Sequence, residues 1–250
     1  MTNVLLTITY DGSNYSGWQY QPSQPTIEGE IRKTLQSILN IDIKLMGAGR
    51  TDRGVHALGQ CALFRATNLT IPLNKLPDIM NKRLPNDIVI SDAKEVPDEF
   101  HPRFSAIKKT YEYRILNSKC KNPLLSNYAE HVKKPLDTQL MNSAASLFLG
   151  THDFKAFQST GGTVKTSVRT ILDISITREA WRNESLILLR VTGNSFLYNM
   201  VRIMAGTLID VGLGKIEPDA IRDIILSQNR SNASKTAGAG GLTLVSITYE

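Results

Sequence analysis

At 250 residues the chain is long enough to bury a substantial core, as one large domain or as two lobes. Lys and Arg number 29 against 23 Asp and Glu, a formal net charge of +6 with an isoelectric point near 9.3, which favours a polyanionic partner such as nucleic acid. Cys61 and Cys120 are isolated, the four histidines (His56, His101, His131, His152) lack metal-ligand spacing, and no apolar run approaches membrane-spanning length. These features exclude a disulfide framework, a metal motif and a membrane-spanning helix. The N-terminus has no basic, long-apolar, small-residue signal, so the expected setting is soluble, reducing and cytoplasmic.

Residues 4–10 are apolar enough for a buried strand that stops at the turn signal Asp11-Gly12. Thr26 is placed to cap a helix whose Ile27, Ile31, Leu35 and Ile38 recur at helical spacing, with Glu28 and Glu30 near its positive end. Residues 41–46 and 61–64 read as strands on either side of a glycine-rich connection. Residues 72–83 predict a second helix and 88–90 another strand. A second unit begins near Ser105. Tyr111, Tyr113 and Ile115 alternate along a strand, while Leu140, Met141, Ala144, Leu147 and Phe148 share a helical face that Gly150 can stop. Strands at 171–176 and 186–191 follow, then a helix carrying Phe196, Met200, Met204, Leu208 and Val211, a shorter helix after Pro218, and a last strand at 242–249. The pattern is that of an α/β protein with two lobes, residues 1–104 and 105–250, with no Pro- or Ser-rich linker dividing them.

The connection Gly47-Ala-Gly-Arg50-Thr51-Asp52-Arg53-Gly54-Val55-His56-Ala57-Leu58-Gly59-Gln60 is the most informative segment. Its glycines let the backbone take positive φ and approach a bulky ligand. Arg50 and Arg53 bracket Asp52, and nearby cations favour the charged carboxylate. The loop therefore offers one anionic group inside a cationic frame, which suits chemistry on a polyanion. A dinucleotide fingerprint fails because the third glycine is missing at its required spacing. A phosphate loop fails because Val55-His56 stands where Lys and Ser or Thr are needed. The plainer alternative, a solvated turn with an incidental Asp, is equally compatible with the composition.

The run Gly-Arg-Thr-Asp-x-Gly-Val-His-Ala, followed by Gly-Gln, strongly resembles the signature loop of the tRNA pseudouridine synthase A (TruA) family. Four further segments resemble that family in the same order. They are Tyr10-Asp11-Gly12 with Tyr15-Ser16-Gly17-Trp18-Gln19, Phe100-His101-Pro102-Arg103-Phe104-Ser105-Ala106 with Lys109-Thr110-Tyr111-Glu112-Tyr113, Gly193-Asn194-Ser195-Phe196-Leu197-Tyr198-Asn199-Met200-Val201-Arg202, and Gly241-Leu242-x-Leu244. The resemblance implies an α+β type of α/β fold, with two lobes of mainly antiparallel sheet flanked by helices and a cleft between them. It implies isomerisation of uridine to pseudouridine in the anticodon stem-loop of tRNA at positions 38, 39 and 40, a homodimer holding the tRNA, and no cofactor.

By the same resemblance Asp52 is the catalytic carboxylate, and Tyr111, Arg202 and Leu244 meet the substrate. Tyr111 packs on the uracil and takes or relays the proton lost from carbon 5, and Arg202 pairs with Asp52. Arg50 expels the target base and occupies its place. Arg53, Arg103, Lys108, Lys109, Lys165 and Arg169 are expected to contact RNA, while Tyr113 reads as an ordinary strand aromatic. The residues leave open whether Asp52 attacks the sugar, attacks the base or removes a sugar proton. Two positions depart from the family pattern. Arg53 replaces a smaller residue, and Thr236-Ala237-Gly238 replaces Thr-Ala-Pro, which is expected to loosen a turn. Two rivals stand beside this reading: a catalytically silent RNA-binding protein on the same scaffold, and a small-molecule enzyme using the glycine loop for a nucleotide cofactor.

Overall fold

A computed structural model of the chain describes every residue except Asn68, Thr163 and Glu250. The chain forms two compact units, Met1–Ile107 with Thr243–Glu250, and Lys108–Leu242. The first contains β1 (Thr2–Tyr10), α1 (Ile27–Leu39), β2 (Met46–Gly47), β3 (His56–Ala66), α2 (Leu76–Asn81) and β4 (Ile88–Glu95). β1 runs antiparallel to β3 on one side and to β4 on the other. Its side chains alternate between two covered faces. Leu5 clusters with Ala48, Cys61 and Leu63, flanked by Met46, Val96, Phe100, Ile247 and Tyr249. Val4, Leu6 and Ile8 point the other way and are equally buried. Burial on both faces is why Val4, Leu5 and Leu6 read as an unbroken apolar run.

Thr26 caps α1 as expected. Its backbone is extended and its hydroxyl accepts the Gly29 N–H at 3.2 Å. Two other expectations need correction. Residues 41–46 do alternate in burial, with Ile43 and Leu45 inside, but only Met46 and Gly47 form a ladder, against Leu63 and Ala62. Alternation records which side chains face the core, not whether a neighbouring strand lies within bonding reach. The helix expected at 72–83 is a 3-10 turn, Leu73–Lys75, followed by α2. Pro77 lacks the N–H that a continuous helix would donate to the Leu73 carbonyl, so the helix proper starts around that proline.

The second unit contains β5 (Lys108–Asn117), β6 (Glu130–Val132), α3 (Thr138–Ser146), β7 (Gly150–Asp153), β8 (Val168–Trp181), β9 (Glu184–Gly193), α4 (Met200–Gly212) and α5 (Ala220–Ser227). β9 pairs antiparallel with β5 and β8, β7 extends the sheet beyond β8, and β6 runs parallel to β5. α3 packs on α4 and β8. α4 is buried almost all round, the mark of an interior helix. The rings of Phe148, Phe154 and Phe157 meet with centroids 5.0 to 6.4 Å apart. Gly150 takes φ +98° to open β7 rather than to cap α3, which has already ended at Ser146. Phe196 lies ahead of α4 instead of on it, because Asn199 at φ 61° breaks the helical path.

Strand β10 (Leu242–Thr248) returns to the first unit. It lies parallel to β3, with Thr243 opposite His56 and Leu244 opposite Ala57. Gly59 permits the close approach, since a Cβ there would stand 2.7 Å from the Val245 carbonyl oxygen.

Candidate active site

In the first unit the loop between β2 and β3 carries Arg50, Asp52 and Arg53. Its start is pinned twice to β3 itself. The Ala48 N–H donates to the Cys61 carbonyl at 2.8 Å, and the Gln60 side-chain amide donates to the Gly49 carbonyl at 3.1 Å. At the apex the Val55 N–H reaches back to the Asp52 carbonyl at 3.1 Å, and Gly54 takes φ +78°. A four-residue turn with positive φ at its third position calls for glycine there. Asp52 is thus the first residue of a tight turn, half-buried, with Arg50 and Arg53 exposed on either side of it.

The segment after β1 forms the floor of this loop. The buried Tyr10 hydroxyl lies 2.7 Å from the Thr51 hydroxyl, and the Trp18 N–H donates to the Thr51 carbonyl at 3.0 Å. A Cβ on Gly17, which has φ +96°, would stand 2.7 Å from the Thr51 oxygen and 3.1 Å from the Asp52 carbonyl carbon; one on Gly12 would overlap the Val55 carbonyl. His56 is buried under the loop, its Nδ1 3.1 Å from both the Gly12 amide and an Asp11 carboxylate oxygen. The Tyr-Asp-Gly and Ser-Gly-Trp motifs are therefore the mould in which the Asp52 turn is cast. Burial pushes the Tyr10 phenol up to about 12, so it stays a neutral partner of Thr51. Leu244 is buried on β10 opposite Ala57, five residues beyond Asp52.

Arg103 sits in a separate loop of the same unit. It is exposed, with its guanidinium carbon 5.7 Å from the ring centre of Phe104. Phe104 is 75% exposed, and the His101 ring lies 4.3 Å from it. Residue type alone did not single out Phe104, because nothing in a sequence says which aromatics are left outside a core.

In the second unit Tyr111 is half-buried on β5 and meets Phe196 edge-on, centroids 5.1 Å apart at 82°. Tyr113, on the same face, is fully buried and donates its hydroxyl to the Gly238 carbonyl at 2.8 Å. Burial and the nearby Glu130 carboxylate raise its phenol well above the ordinary tyrosine range. Arg202 lies in the first turn of α4. Its Nη1 donates to Asn199 Oδ1 at 2.7 Å and its Nε to the Ala237 carbonyl at 2.8 Å, while the Ala237 N–H returns a bond to the Arg202 carbonyl at 3.1 Å.

The 236–238 segment is not loosened, which corrects the expectation from its missing proline. Gly238 donates its N–H to Glu130 at 3.1 Å and accepts from Tyr113, so a peptide that proline could only half satisfy is tied at both ends. Motif reading missed Glu130 altogether, and it missed the contacts, though not the presence, of Asn199 and this strap. The Thr-Ala-Gly departure was the one visible trace of the Glu130 contact.

Lys108 is exposed and Lys109 half-buried at the start of β5. Lys165 is exposed in its loop, whereas Arg169 is only 8% exposed and donates Nη1 to the carbonyls of Thr166 and Val168 at 2.9 and 2.6 Å. Arg169 thus braces its own loop. Among the described residues, no three His, Cys, Asp or Glu side chains gather as metal ligands would, and no helix is long and apolar enough to cross a membrane.

The profile of the tRNA pseudouridine synthase family matches residues 6–105 and 144–250. The chain is 46% identical over 249 residues to a tRNA pseudouridine synthase A of Thermoanaerobacter sp. (strain X514), covering 100% of both chains. It is 47% identical to that of Acetivibrio thermocellus, again with 100% of both covered, and 45% identical to tRNA pseudouridine synthase A 2 of Clostridium tetani, covering 99% and 98%. Among solved structures it aligns with a Cbf5-Nop10-Gar1 complex at a TM-score of 0.32 and 14% identity, spanning 96% of this chain and 57% of that one. Since the curated relatives match from end to end at close to half identity, the chain belongs to the tRNA pseudouridine synthase family.

Proposed function

We propose that this isomerase converts uridine to pseudouridine in the anticodon stem-loop of tRNA, at positions 38, 39 and 40, with Asp52 as its catalytic carboxylate. The supporting observation is that the similarity to enzymes named tRNA pseudouridine synthase A spans the whole chain and includes the Asp52 turn, whose neighbour Thr51 is bonded by Tyr10 and Trp18 and which packs against Gly17. The reaction breaks the N-glycosidic bond, turns the freed uracil and rejoins it to the sugar through carbon 5. Nothing is oxidised and no group is lost, so one fixed carboxylate can carry the chemistry as nucleophile or charge stabiliser.

In this reading Arg202 supplies the cation that keeps Asp52 charged, since a desolvated carboxylate needs such a partner. Tyr111 offers a ring face to the uracil and a hydroxyl for its polar edge. Leu244 adds an apolar contact. A paired uridine must first leave the stack, which costs a few kcal/mol. Arg50, whose planar guanidinium can stack and hydrogen-bond together, takes its place. Arg53, Arg103, Lys108, Lys109 and Lys165 hold phosphate and set register without reading sequence. Arg169 serves by shaping the loop that presents Lys165. The enzyme works in the cytoplasm, as a homodimer.

Mapping pseudouridine in tRNA from cells with and without the protein tests the assignment. Loss at positions 38 to 40 on deletion is expected. Asp52→Asn should bind tRNA within about twofold of wild type yet lose at least about a thousandfold in turnover, as removal of an essential nucleophile does. Turnover near wild type in this variant would overturn the catalytic role of Asp52.

A further inference from the structure

Four non-glycine residues among those described have positive φ: Asn40, Arg182, Asn199 and Gln228. Asn40 and Gln228 close the C-terminal ends of α1 and α5, where a left-handed residue is routine. Arg182 lies in the tight connection between the paired ends of β8 and β9, another customary place for it. Asn199 has no such excuse. It stands at the N-terminus of α4, where a cap residue is normally extended and turns its side chain onto the helix's first N–H groups. Here φ is 61° and the side chain caps nothing. Its carbonyl oxygen instead accepts Arg202 Nη1 at 2.7 Å, and its amide donates to the Ser159 hydroxyl at 3.1 Å.

We infer that Asn199 is a positioning residue for the reaction. It gives up the capping role and accepts an unfavourable backbone conformation in order to fix the orientation of the Arg202 guanidinium. Strain of this kind persists where the surroundings over-determine it, and it gathers at functional sites. The geometry is a two-point clamp. Nε is fixed by the Ala237 carbonyl, on a strap held in turn by Tyr113 and Glu130, and Nη1 is fixed by Asn199. With both points made, the guanidinium plane is held against rotation about the Cδ–Nε bond. Ser159 completes the chain by holding the Asn199 amide, so that the oxygen, and not the nitrogen, faces Arg202.

This inference rests on the reading that Arg202 supports the catalytic carboxylate, and three variants separate the two. Asn199→Gly removes the acceptor while suiting φ 61° better than asparagine, so the fold and melting temperature should be kept. Its kcat on tRNA should fall about ten- to a hundredfold, the scale of a misplaced catalytic group, with KM for tRNA within about twofold of wild type. Asn199→Asp keeps the acceptor and tolerates the left-handed region, and should recover most of that rate. Arg202→Gln should abolish turnover. Wild-type kcat in Asn199→Gly beside an inactive Arg202→Gln overturns the positioning role alone. Equal losses in the glycine and aspartate variants also overturn it, because the shared acceptor would then not be what matters. Full activity of Arg202→Gln overturns the reading underneath.

Discussion

A methyl group at position 17 would meet the backbone on both sides of Asp52. Gly17 has φ +96°, and its added Cβ would lie 2.7 Å from the Thr51 oxygen and 3.2 Å from the Arg53 nitrogen. Neither neighbour is a flexible side-chain end that could swing away. Gly17→Ala therefore combines a left-handed penalty with a steric one, about 2–4 kcal/mol together. The relief open to the chain is to move the Asp52 turn. Thermal unfolding should show the stability loss, and kcat should fall by more than KM rises, since the displaced atoms belong to the residue proposed to act. Unchanged kcat in a folded Gly17→Ala variant would show that the turn is not held from this side.

At the scale of elements, propensity and packing can oppose each other, and Gly206 shows which wins. In the interior of a helix, glycine to alanine is ordinarily worth about 1 kcal/mol of added stability. Gly206 lies on α4 where the strap crosses, and a Cβ there would overlap the Lys235 carbonyl oxygen. Gly206→Ala should therefore destabilise, by about 1–3 kcal/mol, as chemical denaturation would reveal. A gain in stability would mean that the strap yields easily. The same contest decides how much was legible in the sequence. β1 and α1 declare themselves because apolar spacing, cap and turn signals agree. Residues 41–45 have the right alternation but no partner strand, and hydrogen-bond partners are not encoded locally. The start of α4 was misplaced because apolar spacing continues through Phe196 while the backbone does not. For the site, the Asp52 loop was legible through its resemblance to a known family. That Gly12 and Gly17 pack against it, and that Asn199 turns toward Arg202, are tertiary facts with no periodic signature.

Across the whole molecule, buried phenols set a limit on alkaline stability. Tyr10, Tyr15, Tyr113 and Tyr249 are all raised above the ordinary tyrosine value, chiefly by burial. A raised folded value means that the fold favours the neutral phenol. The associated stability is complete below pH 10 and lost as the pH climbs through the folded values. Tyr10, pushed to about 12, contributes about 2–3 kcal/mol that disappears between pH 10 and 12. Melting temperature should hold from pH 8 to 9.5 and drop steeply beyond it. Tyr10→Phe should lower stability at pH 8, through the lost bond to Thr51, and make the alkaline decline shallower. A Tyr10→Phe profile parallel to that of wild type would contradict this.

The parallel pairing of β10 with β3 has a consequence for biosynthesis. His56 and Ala57, which open the strand just beyond Asp52, gain their β10 partners only when Thr243 and Leu244 have left the ribosome, about 190 residues later. Until then the His56–Ala57 end of β3, beyond the reach of β2, offers its amides and carbonyls to whatever strand comes near. The nascent first unit is an open sheet waiting for its last piece. The second unit, Lys108–Leu242, is contiguous in sequence and can finish folding first. Translation order and folding order would then be reversed, with the older segment completed by the younger.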